Sequence, residues 1–532
     1  MFVLKTIIDK YNKKNKPIYA CFIDMKKAFD SVLHQAILYK LLKAGVKGQL
    51  YNIIKDMYEN TRLAVKVGSD CRTAFFPSHI GIRQGDNLSP NLFKILLDDL
   101  PDNLNQTECN PIEINNRKLN CLLYADYIVL LSESPNGLQK AIDLTELYGS
   151  ELGLEINIKK TKSMVFSKKG NISKHTFTIK MNNLEEVKTY KYLGLQLSSS
   201  GSMNVARSSL YSSAVKAFFK LRRSINPKHM KIKTIIRIFE SLIEPILLYG
   251  CEITNTFNIT NSIKNNIHKV FDKTNKWEQE RLHLQFCRLI LGVGPKTTNM
   301  AIYGELGRYP IFIKAMKQTW KFYNRCTQSN QNSLIFDAFE EQKNNLTDNS
   351  WLYFVKFMSE SMDIPFNFTE LDYELASNNF KVLFRDYWKN NLHNDVRNQG
   401  YGNKLRTYRK FKTVFNQESY LNIIPSFETR RELCKFRVSN HKLQIEIGRH
   451  NNIAIENRLC ATCQEIEDEE HFLTKCTKYN NMRRELYSSV TNVCPNFSSL
   501  PNEDKFVYLL TCENEIVVGE VGKYVFSCSN EG

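Results

Sequence analysis

The run Cys121-Leu122-Leu123-Tyr124-Ala125-Asp126-Tyr127-Ile128-Val129-Leu130-Leu131 sets a single carboxylate inside an otherwise apolar and aromatic stretch. Such a run is strand-like. An ionised acid within it is expensive unless a cation or hydrogen-bond donors meet it. Asp126 therefore asks for a partner. A second run, Tyr19-Ala20-Cys21-Phe22-Ile23, stops at Asp24. Either acid alone reads as a turn cap. Delivered together by neighbouring strands, the two could hold divalent metal for phosphoryl transfer.

With 532 residues, 42% apolar and 11% aromatic, the chain exceeds what one core serves and suffices for two or three packed domains. A disordered tail is excluded. The 73 Lys and Arg against 55 Asp and Glu give a formal +18, which favours a polyanionic partner such as nucleic acid. The placement of charge sharpens this. No acid falls from Val205 to Phe239, whereas Arg207, Lys216, Lys220, Arg222, Arg223, Lys228, Lys231, Lys233 and Arg237 all do. Such a run is usually a solvated face, but the absence of any acid shifts the reading toward phosphate contact. Phe218, Phe219, Leu221 and Ile225 read as its packed face. Fourteen cysteines in so long a chain, most of them single, fit a reduced intracellular setting, nucleus or cytoplasm. The sequence has no signal peptide at Met1 and no membrane-spanning stretch, so no membrane partner is expected.

Apolar spacing predicts a helix over Lys26–Ala44, ending near Gly45. Gly81-Ile82-Arg83-Gln84-Gly85-Asp86-Asn87-Leu88 is a glycine-punctuated loop, and Ser89-Pro90 is read as N-cap and first-turn proline for a helix over Asn91–Leu100. A helix over Leu138–Leu152 and a strand over Leu154–Phe166 follow, the latter interrupted by Lys159-Lys160-Thr161-Lys162. After about Gly201 the pattern turns helical, with helices over Thr234–Leu248 and Trp277–Leu291. The stretch Gln328–Phe380 is polar, aromatic and rich in Asn.

Cys460-Ala461-Thr462-Cys463, His471 and Cys476 form Cys-x2-Cys-x7-His-x4-Cys. Three thiolates and an imidazole at this spacing can close a tetrahedral zinc site, and a loop with almost no core of its own needs the metal to fold. Arg437, His441, Lys442, Arg449, His450 and Arg458 flank it and are read as an RNA contact, because the loop itself carries Glu465, Glu467, Asp468, Glu469 and Glu470. Cys494, Cys512 and Cys528 are left unassigned.

Several motifs in order resemble the reverse transcriptase of non-LTR (LINE-type) retrotransposons. Phe22-Ile23-Asp24-Met25-Lys26-Lys27-Ala28-Phe29-Asp30-Ser31 is similar to the first palm motif, Gly81 to Pro90 to the glutamine-glycine loop and Tyr124-Ala125-Asp126 to the central acidic motif. Gly153-Leu154-Glu155-Ile156-Asn157 with Lys160-Thr161-Lys162 resembles the motif that follows, and Tyr192-Leu193-Gly194 the primer-grip hairpin. The likeness runs on through Pro245 to Gly250 and Glu305 to Pro310 into the cysteine motif.

The resemblance implies an α/β (α+β) fold: a polymerase palm with an antiparallel sheet and flanking helices, then a mainly α-helical thumb and C-terminal region with a small zinc knuckle. The expected division is palm and primer-grip hairpin 1–200, basic thumb 201–310, helical linker 311–430, zinc-knuckle region 431–480 and tail 481–532. The implied activity is RNA-directed DNA polymerase, a nucleotidyltransferase using RNA template, DNA primer and deoxynucleoside triphosphates. Asp24 and Asp126 would hold Mg2+ of a two-ion site, with Lys160 a proton donor to pyrophosphate or merely a basic turn. Phe29, Gln84 and Gly85 would lie against the nucleotide, although Phe29 equally suits an ordinary core position. Lys216, Lys220, Arg222, Arg223, Lys228, Lys231 and Lys233 would contact nucleic acid, and Cys460, Cys463, His471 and Cys476 would bind Zn2+.

The pattern breaks at one position. The family carries a second aspartate directly after the first, where this sequence has Tyr127. Met1 also stands close before the first palm motif, so fingers are expected to be incomplete and an endonuclease domain absent. The expectation is an impaired or inactive polymerase; the alternative is a non-catalytic nucleic-acid-binding remnant of a retroelement protein.

Overall fold

The computed structural model describes residues 1–68, 71–168, 175–393 and 404–530. They divide into two compact units, Met1–Ala206 with Cys326–Leu352, and Arg207–Arg325 with Tyr353–Gly532. The stretch 311–430, expected as a linker, is thus shared between the units and forms no body of its own.

The first unit contains helices α1 (Phe2–Lys13), α2 (Ala28–Ser31), α3 (Ser89–Leu96) and α4 (Pro135–Glu151). Its central sheet is built from β1 (Ile18–Ile23), β2 (Cys121–Tyr124), β3 (Tyr127–Ser132), β4 (Lys162–Phe166) and β5 (Glu185–Glu186), in the order β5-β4-β1-β3-β2. All pairings are antiparallel except the short edge strand β5, which runs parallel to β4. Every residue of β1 is buried, because both faces of the sheet are covered. On one face Cys21, Ile23 and Leu130 share a core with Leu138 and Ile142 of α4. On the other, Phe22 stacks on Tyr190 with centroids 4.4 Å apart and meets Tyr192 at 5.6 Å. Both tyrosines belong to the hairpin β6 (Thr189–Tyr192) and β7 (Leu195–Ser198). Burying Phe22 contributes about 2–3 kcal/mol. The β6–β7 turn is Leu193-Gly194 with φ of 46° and 79°, the left-handed pair that matches strand twist in two-residue hairpins.

Helix α4 begins where Ser134 Oγ accepts the Gly137 N–H at 3.0 Å and Pro135 fills the first turn. The helix expected over Lys26–Ala44 is instead broken into α2 and His34–Lys43, with Val32 and Leu33 extended. Tertiary hydrogen bonds win over local periodicity there: Gly81 N–H donates to Val32 O at 2.8 Å, Ile82 N–H to Phe29 O at 2.7 Å, and Leu33 forms a bridge to Ile80. Of the strand expected over Leu154–Phe166 only β4 forms, Ile156 making a single bridge to Met25. Leu88, not Ser89, occupies the N-cap of α3. The helix Leu334–Asn344 packs on α1, where Gln342 Nε2 donates to Thr6 Oγ1 at 3.2 Å and Lys10 pairs with Glu341 at 2.9 Å.

The second unit is helical among its described residues. It opens with α5 (Asn204–Ser224), from Arg207 on, and α6 (Ile232–Leu242), separated at a segment containing Pro227. Phe218 of α5 meets Phe239 of α6 edge-on at 6.4 Å, and Phe239 stacks on Phe286 at 4.0 Å. Phe219 is 44% exposed and does not share that packed face. The helix Glu278–Leu291 lies where the periodicity put it. The described residues after Asn480 are packed structure: helix Glu515–Asn530 lies against Phe427–Arg437 and Asn480–Val493. Among the described residues no helix is long and apolar enough to cross a membrane.

Candidate functional site

The apolar run around Asp126 is a hairpin, not one continuous strand. Tyr124 pairs with Tyr127, leaving Ala125-Asp126 as the turn, with Ala125 at φ 52°. For an L side chain that conformation costs on the order of 1 kcal/mol. Asp126 is consequently half-buried at a hairpin tip, and the penalty for enclosing an ionised acid does not arise. Asp24 follows the last pair of the β1–β3 ladder, Ile23 opposite Ile128. Continuing that register puts Asp24 across from Tyr127, the residue that follows Asp126 out of the turn. Two hard oxygen donors at adjacent strand ends, both open to solvent, suit a divalent cation that keeps waters.

The backbone of Asp24 is held by the segment after the central motif. Its N–H donates to Thr161 Oγ1 at 3.2 Å, and Asn157 N–H donates to its carbonyl at 2.8 Å. Lys160 Nζ lies 3.7 Å from Asp24 Oδ1 and is largely exposed. Tyr127, 40% exposed, points to the face that carries Phe22 and Asp24, its ring 6.2 Å from that of Tyr192. Burial, then the Asp24 carboxylate, push the Tyr190 phenol up to about 12, as expected for a ring beside the acid. Thr161, Tyr190 and Tyr192 were not singled out as site residues from the sequence, although Thr161 lies in the basic turn and Tyr192 opens the hairpin motif; Tyr190 offered no signal.

The glutamine-glycine loop is tied to the helix after Asp24. Gln84 Nε2 donates to Asp30 Oδ1 at 3.1 Å, and a ring nitrogen of His34 lies 2.8 Å from the Gly81 carbonyl. Gly85 has φ 89° with nothing within 4 Å of a Cβ built there, so backbone conformation is what requires glycine at this turn. The Phe29 ring stacks on buried Phe93 of α3 at 5.1 Å, which gives it the core contact; it remains partly open beside the loop.

In the second unit Lys216, Lys220, Arg222, Arg223, Lys231 and Lys233 are exposed. Among the described residues none of the six has a carboxylate partner. Lys228 differs, pairing with Glu428 at 2.7 Å.

Cys460, Cys463, His471 and Cys476 offer ligand atoms all within 4.8 Å of one another. The Sγ of Cys476 lies 3.8 Å from that of Cys460 and 3.9 Å from that of Cys463. Zn–S bonds near 2.3 Å in a tetrahedron put sulfurs about 3.8 Å apart, so the spacing fits. His471 Nε2 is buried without a hydrogen-bond partner, while Nδ1 lies 3.3 Å from Glu465 Oε2. That is the arrangement of a metal-bound imidazole whose far nitrogen is oriented by a carboxylate. Four of the six flanking cations have internal partners, whereas Lys442 and His450 are exposed. Arg437 and Arg458 are buried, Arg437 on Glu305 at 3.1 Å and Arg458 on the Ile445 carbonyl at 3.0 Å. His441 pairs with Glu469 at 2.9 Å and Arg449 with Glu446 at 2.7 Å. The loop acids are structural as well, Glu467 accepting the Gln444 N–H at 2.7 Å. Charge counting along the sequence could not separate these inward ion pairs from a solvated patch.

Residues 2–197 match the family model described as reverse transcriptase (RNA-dependent DNA polymerase). The Pol polyprotein of the type-1 retrotransposable element R2 from Nasonia vitripennis is 31% identical over 212 residues, 38% of this chain and 20% of its own length. An R2 polyprotein from Popillia japonica is 27% identical over 259 residues, 47% of this chain and 41% of its own length. The RNA-directed DNA polymerase of the mobile element jockey from Drosophila funebris is 26% identical over 243 residues, 44% of this chain and 25% of its own. The chain thus spans well under half the length of these relatives. Residues 2–197, with the acids at their strand ends, are a reverse transcriptase domain of the non-LTR retrotransposon kind.

Proposed function

We propose that the chain is an impaired RNA-directed DNA polymerase that binds an RNA template and DNA primer and adds deoxynucleotides poorly. The observation that carries this reading is the juxtaposition of Asp24 and Asp126 at adjacent strand ends, with a phenol, Tyr127, where a further carboxylate would complete the site. Asp24 and Asp126 are assigned as Mg2+ ligands. Bound magnesium would lower the pKa of the primer hydroxyl and neutralise charge on the phosphoryl group in flight. The primer 3′ oxygen attacks the α-phosphorus and pyrophosphate leaves; Lys160, 3.7 Å from Asp24, would give it a proton. The Gln84-Gly85 loop, fixed by Asp30, would bring backbone close to the nucleotide, with Phe29 bounding the sugar. Tyr127 carries no carboxylate, so the site lacks one of the acidic oxygen donors that would hold two ions. Lys216, Lys220, Arg222, Arg223, Lys231 and Lys233 supply phosphate contacts, with Lys228 available once released from Glu428. Cys460, Cys463, His471 and Cys476 are assigned to Zn2+, and the setting is intracellular.

A second reading, nucleic-acid binding without chemistry, is favoured by Tyr127 itself. Primer extension on purified protein separates the two. Weak extension is expected from the unmodified chain, none from Asp126→Ala, and a gain of at least about tenfold from Tyr127→Asp, since a restored ligand acts on transition-state charge. No extension by any variant alongside salt-sensitive RNA binding leaves the binding-only reading. Robust extension by the unmodified chain that vanishes in Asp126→Ala would overturn the impaired one.

A further inference from the structure

The second unit holds a cavity of about 780 Å3 walled by residues 266–276, Asn299 and residues 387–391. Five asparagines line it. Two of them have their amide orientation fixed by chemistry. Asn299 Oδ1 accepts from Arg288 Nη2 at 2.6 Å, and a guanidinium can only donate, so the Asn299 amino group is what remains for a ligand. Asn391 Nδ2 donates to the Tyr387 carbonyl at 2.8 Å, which leaves Asn391 Oδ1 as an acceptor. A fixed donor and a fixed acceptor on facing segments complement the paired acceptor and donor that every nucleobase presents on its Watson–Crick edge. Asn266 and Asn390 stand exposed at the rim.

Aromatic surface and charge fit the same class of ligand. His268 is half-buried with its ring edge-on to Tyr387 at 6.0 Å. The acid in the wall, Asp272, accepts the Tyr387 hydroxyl at 2.7 Å. Lys269 and Lys276 are exposed, and among the described residues neither has a carboxylate partner. We infer that this cavity receives an unpaired base of a single-stranded polynucleotide, with Asn299 and Asn391 on its edge, His268 against its face and Lys269 and Lys276 on the flanking phosphates. The inference deepens the nucleic-acid reading above and rests on it. It adds a place where bases, not only backbone, are sensed, far in sequence from the Asp24 and Asp126 motifs.

The test uses the full chain and fluorescence anisotropy with three RNAs: a single strand, the same strand annealed to its complement, and an abasic strand of equal length. Asn299→Asp keeps the acceptor for Arg288 but replaces the free donor, and Asn391→Ala removes the acceptor at the loss of one hydrogen bond within its own helix. Each is expected to weaken single-strand binding several-fold and the pair about tenfold, a loss of the size of one or two hydrogen bonds. Duplex and abasic binding should stay unchanged, which separates lost base contact from added negative charge. A 4-thiouridine strand should crosslink within residues 266–276 or 387–391. Equal losses on all three RNAs, or unchanged single-strand binding with crosslinks elsewhere, would overturn the inference while leaving nucleic-acid binding intact. No binding of any RNA would remove the underlying reading as well.

Discussion

Lys40 sits on the apolar face of the helix His34–Lys43, yet its ammonium finds Asp99 at 2.5 Å and the Tyr148 hydroxyl at 3.0 Å. Burial alone would raise the Asp99 carboxyl, but hydrogen bonds from Lys40, Tyr148 and Lys43 outweigh it and hold the group well below the ordinary carboxylate range. A depressed folded pKa contributes stability that is fully present above the unfolded value near 4 and is lost as pH falls toward the folded one. Asp99→Asn should therefore lower stability at neutral pH and flatten the acid limb below about pH 4, as read by urea unfolding across pH; an acid limb identical to that of the unmodified chain would refute the assignment. Residues of this kind were not legible in the sequence, because Asp99 and Lys40 meet only through tertiary packing. Asp24 and Asp126 were legible, because each interrupts or ends a run of β-forming apolar residues. Even there the reason given by the sequence was incomplete: Asp126 is tolerated because the chain turns at it.

Among the elements, those with an uncontested period were legible. The helices Pro135–Glu151 and Glu278–Leu291 fall within a few residues of the periodicity that predicted them. The helix expected over Lys26–Ala44 broke because backbone bonds from the Gly81–Ile82 segment compete for the Phe29 and Val32 carbonyls, a competition that no local pattern encodes. The cysteine group was legible from spacing alone, since four donors within a short loop leave little other use for them. What spacing could not supply was Glu465 behind His471, or Arg483, whose guanidinium donates to the Leu473 carbonyl at 3.2 Å and also reaches the Cys476 carbonyl. Zinc near one per chain is expected, with loss of metal in Cys463→Ser together with faster amide exchange across residues 458–479, since binding energy in so small a loop is folding energy. A metal-free chain protected to the same degree across those residues would contradict this.

For the whole molecule, net charge pointed to a polyanion but not to which cations meet it. Arg437, Arg449 and Arg458 are consumed by internal partners, whereas Lys216 and Lys220 on α5 stand exposed without an acid in the segment around them. Alanine at both should reduce the slope of log affinity against log salt by about 2 and weaken binding evenly across RNA sequences; an unchanged slope would remove α5 from the interface. The family likeness covers residues 2–197, and within them Asp24 and Asp126 are proposed to hold a divalent ion together. Titration of zinc-loaded protein with Mn2+, followed by electron paramagnetic resonance in the presence of primer, template and nucleotide, tests that directly. One tightly held ion is predicted for the unmodified chain, lost in Asp24→Asn and in Asp126→Asn, and joined by a second in Tyr127→Asp. Equal Mn2+ binding by the unmodified chain and both asparagine variants would contradict it.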